Sequence, residues 1–193
     1  MISRMIKILR KFRGAEDGSL SVEAVLMFPL LVWALAGSYV FFDGYRSKAV
    51  NLKAAYTISD ILSRETGYVT PSYMTNLYTL QERLTYSRTS TSLRLTVISF
   101  DSNTEQFTVR WSEATGSVQP LTTELLQNLT ERLPLIPSGE VVVLVQNWVN
   151  YQPAFRNMFS PINFENFVVT RPRFAPQLCW NSSDNGGVST ATC

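Results

Sequence analysis

Residues 24–42, AVLMFPLLVWALAGSYVFF, run for nineteen positions without a charged side chain. As an α-helix rising ~1.5 Å per residue, the run spans roughly 28 Å, close to the thickness of a bilayer's hydrocarbon. Beyond it, Ala49, Leu52, Tyr56 and Leu62 keep close to helical spacing, no proline falls between Pro29 and Pro71, and Gly67 supplies a stop. The spacing predicts one helix from Leu20 to about Glu65, roughly 69 Å long at that rise, with its outer half a stalk for a following domain. Gly44 weakens it just beyond the apolar run. A shorter helix is expected from Pro71 to about Tyr86.

The period then changes from helical to alternating. From Ser92 to Phe100, Leu93, Leu95, Val97 and Ser99 fall on one face and Arg94, Thr96, Ile98 and Phe100 on the other. A turn at 101–105 and a second alternating run from Gln106 to Trp111 complete a hairpin. Pro120 opens a helical stretch with Leu121, Leu125, Leu129 and Leu133 on one stripe, ended by Pro134 and Pro137. Gly139 to Asn150 contains Val141-Val-Val-Leu-Val and predicts a buried strand; Phe164 to Arg173 predicts the last one. The 181–187 tract is a loop. The sum is an α+β fold: an antiparallel sheet packed on the extended N-terminal helix.

Charge changes this picture. Residues 1–18 carry Arg4, Lys7, Arg10, Lys11 and Arg13 against Glu16 and Asp17, a net +3, while residues 19–193 are −1. The folded body is therefore not basic, which argues against nucleic acid as a partner. The chain has no histidine, so Ser-His-Asp and Cys-His chemistry and most zinc sites are excluded. No carboxylate, serine or lysine pair at defined spacing suggests an active site. The expectation is a protein without enzymatic activity, cofactor or small-molecule substrate.

The apolar run reads best as a retained membrane span; a cleaved secretory signal and a buried core helix are the alternatives. Five Lys/Arg precede it and Arg46, Lys48 and Lys53 follow, which favours a cytoplasmic N-terminus and an outer main domain. Residues 1–13 also have an apolar face of Ile2, Met5, Ile6, Leu9 and Phe12, suited to an anionic inner leaflet, or they are a plain topogenic flank. Glu23 stands at the edge of the run, where an interfacial carboxylate in a helix's first turn is tolerated. Pro29 lies inside the run and by itself means a kink.

Taken together, Arg13-Gly14-Ala15-Glu16-Asp17-Gly18-Ser19-Leu20-Ser21-Val22-Glu23, running into Ala24-Val25-Leu26-Met27-Phe28-Pro29, resemble the start of TadE-like pseudopilins, the minor pilin-like proteins of Tad (Flp) type IV pilus systems. The resemblance implies a basic leader cut after Gly18 by a prepilin peptidase, Ser19 as the first mature residue, Glu23 as the fifth, and Pro29 early in the membrane helix. The major Flp pilins are much shorter and have an aromatic residue after the Glu, where this chain has Ala24, so the likeness is to a minor component. With the leader that the resemblance implies at 1–18, the residue pattern divides the chain into a membrane and stalk helix at 19–66 with its apolar part between Ala24 and Phe42, an extracytoplasmic α+β domain at 67–178 and a C-terminal disulfide loop at 179–193. The implied partners are the inner membrane, the prepilin peptidase, other Tad pilins or pseudopilins and the Tad secretion machinery. Surface adhesion is the downstream role. An uncleaved single-span anchor carrying an extracytoplasmic binding module is the alternative.

Cys179 and Cys193 are the only cysteines. In the oxidising compartment that this topology implies, a bridge between them is expected, worth ~3 kcal/mol by loop entropy; free thiols or an intermolecular bond are the alternatives. Asn128-Leu-Thr and Asn181-Ser-Ser match a glycosylation pattern common by chance. Trp111, Trp148 and Trp180 are either core or a partner surface.

Overall fold

The structure, a computed structural model, describes residues 19–86, 89–155 and 158–193. The leader, with Gly18 and the basic amphipathic stretch, lies outside the described residues. The chain divides into two compact units, with the division between Asp43 and Gly44. Helix α1, Ser19–Arg64, contributes residues 19–43 to the first and residues 44–64 to the second. Among the described residues α1 is the one helix long and apolar enough to cross a membrane, and its part in the first unit carries the uncharged run 24–42.

The second unit is an α+β domain. After α1 come α2 (Pro71–Thr85), β1 (Thr91–Asp101), β2 (Gln106–Thr115), α3 (Thr123–Gln127), a 3-10 turn at Thr130–Arg132, β3 (Val141–Tyr151) and β4 (Ile162–Thr170). A two-residue ladder of β5 (Trp180–Asn181) and β6 (Ala191–Thr192) follows. The four long strands form one antiparallel sheet in the order β2-β1-β3-β4. Hairpin geometry explains the β1–β2 and β3–β4 neighbours; β1 and β3 pair centrally, from Thr91 opposite Val149 to Ser99 opposite Val141. A bulge at Arg110 shifts the β1–β2 register, so that Val97 faces Trp111 and Ile98 faces Val109.

The period-2 pattern sorts side chains to two cores. Leu93, Leu95, Val97, Trp111, Val143 and Val145 face α1 and α2, where Ile58, Leu62, Met74 and Leu77 meet them. The small residues Ala54, Ala55, Ser59 and Ser63 of α1 are buried as well. Farther along the same face, the buried Asn147 donates to the Asn51 carbonyl at 3.3 Å and accepts from Asn166 at 2.8 Å. On the opposite face Ile98, Val142 and Leu144 are covered by Leu121, Leu126 and Ile136.

The cover on that second face corrects one expectation. The stretch after Pro120 is not a long helix but five helical residues and a separate 3-10 turn. Leu125 is exposed while Leu121, Leu126 and Ile136 are buried, a spacing that no single helical stripe provides. The segment crosses the sheet and blunts the β2 edge: Val109 N–H donates to Thr123 Oγ1, Leu121 N–H to Ser112 Oγ, and Gln127 Nε2 to the Phe107 carbonyl. β2 also runs four residues past Trp111.

Candidate functional site

Along α1, residues 21–34 are all exposed. Val25, Phe28 and Phe42 expose 70%, 68% and 71% of their surface. The buried-core-helix reading of this stretch therefore fails. Glu23, Ala24, Pro29 and Phe42 all lie on this surface, and the backbone of Ser19 is helical. Ala24, Val25, Phe28 and Pro29 line one open apolar notch. Proline has no N–H, so Pro29 leaves the Val25 carbonyl without its i+4 donor on that side of the helix. A surface this apolar, with a freed carbonyl in it, suits hydrocarbon and neighbouring helices better than water.

The second arrangement is a clasp at the far end of the α1–α2 face. The Val69 N–H donates to the Cys179 carbonyl at 2.9 Å and the Asn181 N–H to the Val69 carbonyl at 2.8 Å, forming an isolated parallel bridge. The Arg173 N–H donates to the Ser63 carbonyl at the end of α1. Leu178 is buried under Trp111, whose Nε1–H donates to the Leu178 carbonyl at 2.7 Å, and Trp180 packs on the same indole. Trp111 is thus a core residue, and the partly buried Trp180 packs against that core. The sulfurs of Cys179 and Cys193 are at bonding distance, with Cα atoms 4.4 Å apart.

The interior of this loop is organised by Asn181, which is fully buried: its Nδ2 donates to the Gly187 carbonyl and its Oδ1 accepts from Ser183 N–H and Thr190 Oγ1. With both amide atoms engaged it is no acceptor for a glycan, whereas Asn128 is exposed. A Cβ at Gly186 would collide with Asn181 and Thr190. From the loop, Asp184 caps α2: its carboxylate accepts the Ser72 N–H at 2.9 Å and the Ser72 hydroxyl at 2.7 Å. Those bonds, Ser72 hydroxyl first, hold Asp184 below the usual carboxylate range. Burial pushes Glu65 up, but bonds from the amides of Gly67 and Thr66 and from the Tyr73 hydroxyl outweigh it and hold it low. Burial, with Glu65 beside it, drives the Tyr73 phenol well up.

Four charged side chains on the sheet, Arg94, Asp101, Arg110 and Glu113, form no ion pair among the described residues, and burial shifts two of them. Glu113 on β2 is pushed up by burial. Arg94 on β1 is pulled down by burial, with Glu165 opposing. Neither is marked by any sequence motif. The partners of Arg94 lie 25 and 52 positions away, at Gln119 and Gln146, so only the strand register reveals them. Among the described residues no three His, Cys, Asp or Glu side chains are grouped to hold a metal. Comparison with protein-family models, with curated proteins and with solved structures finds no match in any of the three.

Proposed function

We propose that this chain is a membrane-anchored, non-enzymatic minor pseudopilin that takes part in assembling a Tad/Flp-type pilus, and so in surface adhesion. One observation carries the reading: an outward-facing apolar helix has Glu23 and Pro29 in register with Gly18 at the end of a basic leader. The basic flank sets the N-terminus in the cytoplasm and residues 44–193 outside it, in the periplasm of a bacterium with an inner membrane. The cysteine pair supports an oxidising surrounding. A prepilin peptidase cuts after Gly18, which removes the +3 cluster and frees an amine on Ser19. In lateral association with other Tad pilins or pseudopilins, that amine and a neighbour's Glu23 neutralise each other, which lowers the cost of placing either in the apolar layer. The outer domain then contacts other subunits or the secretion machinery.

Intact-mass analysis of chain purified from membranes with and without an active prepilin peptidase tests this. The expected product begins at Ser19 only when the peptidase is present. A product that retains Met1 beside an active peptidase overturns the proposal and favours an uncleaved anchor with a binding module. Glu23→Gln is expected to leave cleavage intact and to lower co-purification with partner subunits, the loss of one member of a buried pair costing ~3–5 kcal/mol.

A further inference from the structure

At one end of the sheet's second face, Arg94 Nε and Nη2 donate to Gln146 Oε1 at 3.0 and 2.8 Å, and Nη1 donates to the Gln119 carbonyl at 3.1 Å. The guanidinium lies over the Trp148 ring, 5.0 Å from its centroid. Among the described residues no carboxylate forms an ion pair with it. The nearby Glu165 pairs with Arg132 through Oε1 at 2.9 Å and supports the Arg94 charge only from beyond ion-pair distance, and Arg132 in turn lies over Phe167. The patch therefore holds two guanidiniums and a single carboxylate.

Three of the five guanidinium N–H donors are used, leaving one on each terminal nitrogen. A half-buried cation without an ion pair is costly to desolvate. The loop beside it is built in advance. Gly116 has φ +94°, and a Cβ there would approach Ser92 Oγ and the Thr91 carbonyl to 2.6 Å. The Ser117 N–H donates to Ser92 Oγ at 3.0 Å, and Ser117, Gln119 and Pro120 stay exposed. A preorganised cation with two free donors, stacked on an aromatic ring, matches a planar carboxylate.

We propose that Arg94 and the 116–120 loop form a docking point for an acidic side chain of a partner protein. The two free N–H groups take the carboxylate, and the partner's backbone lies on Ser117, Gln119 and Pro120. The open surface favours a peptide-borne carboxylate over a small anion, which would meet two donors and water and nothing more. The assignment rests on the sheet domain alone and does not depend on leader processing.

The test uses the full chain, isotope-labelled in detergent micelles, and two capped tripeptides, acetyl-Ala-Glu-Ala-amide and acetyl-Ala-Gln-Ala-amide. The Arg94 Nε–H and Trp148 Nε1–H resonances report binding. The Glu peptide is expected to shift both saturably and to bind at least about tenfold more tightly than the Gln peptide, the scale of a charge-assisted hydrogen bond. Equal responses, or none, overturn the proposal on the wild-type chain, where folding is not in question. Acetate matching the affinity of the Glu peptide also overturns it, because the site would then read a carboxylate and no partner. In Arg94→Gln, with unchanged Gly116 and Ser117 amide shifts as the control for an intact loop, the response to the Glu peptide is expected to vanish; its survival there overturns the assignment.

Discussion

Within α1, the residues before Asp43 and those after Gly44 reverse the usual link between hydropathy and burial. The first stretch holds Phe28, Leu30, Leu31, Trp33 and Phe42, all more than half exposed. The second holds Asn51, Ala54, Ala55 and Ser59, none more than 2% exposed, with Ile58 and Leu62 as its fully buried large apolar residues. Burial follows what stands opposite a residue, and the sheet stands opposite residues 51–63. Small residues fill much of that interface, and Asn51 is buried there too: its backbone carbonyl accepts from Asn147, while its side-chain Oδ1 has no hydrogen-bond partner among the described residues. A stretch that leaves its largest apolar side chains outward is instead suited to a solvent other than water.

The sharpest way to break this contrast is a matched pair of truncations. Leu62→Ala removes a fully buried side chain from the α1–sheet core and is expected to destabilise the domain by about 2–5 kcal/mol in denaturant melts followed by tryptophan fluorescence. Leu31→Ala, in the exposed stretch, is expected to shift the same melt by no more than about 0.5 kcal/mol. Equal losses would mean that both stretches pack against protein. The converse experiment is Leu31→Arg, which places a charge in the middle of the apolar run. It is expected to disfavour membrane integration by about 2.5–3.5 kcal/mol, read as the integrated fraction of newly made chain, with little effect on the domain.

The next two measurements sharpen the contrast by asking how far the buried stretch depends on the C-terminal clasp. Cys193→Ser opens a loop with a sequence separation of 14 and is expected to cost up to about 3 kcal/mol, with the same loss on reducing the wild-type chain. An unchanged melt would show that the Val69 bridge and the Trp111–Leu178 contact hold the clasp unaided. The smallest effect concerns Asp184. Its pKa is lowered in the folded chain, so its contribution is complete above the ordinary aspartate value near ~4 and is lost as pH falls through the lowered value. The Ser72 amide resonance is expected to titrate with a midpoint below ~4, and to stay flat in Asp184→Asn.

The pattern of residues made some of this fold legible and hid the rest for identifiable reasons. α1, α2 and the β1–β2 hairpin rest on long periodic runs with clear stops, and their expected bounds fall within a few residues of those found. The Pro120 segment misled because leucines four apart imitate a helical stripe, although Leu125 points to solvent while Leu126 meets the sheet. β5 and β6, two residues each, are too short to carry a period. The cysteine spacing announced a C-terminal loop. What the loop grips, through Asp184 on Ser72 and Asn181 on Val69, depends on partners more than a hundred positions away. Arg94 looked like an ordinary outward position on an alternating strand, and only the pairing of β1 with β3 brings Gln146 beside it.

The bridge between Val69 and Trp180 also sets an order of events while the chain is made. It joins residues on either side of the whole sheet, and the α1–sheet core includes Leu178. That core stays open until residue 181 has emerged, whereas α1 is complete at Arg64. At synthesis rates of about 5–20 residues per second, the interval is roughly 6–23 s. The apolar stretch of α1 has that time to find its own surroundings before the domain closes. Contacts this distant in sequence also make the closing step slow compared with helix formation. Completion of the apolar helix and closure of the domain are thereby separated in time by topology alone, and a chain stopped before Leu178 would carry a finished helix and an unfinished core.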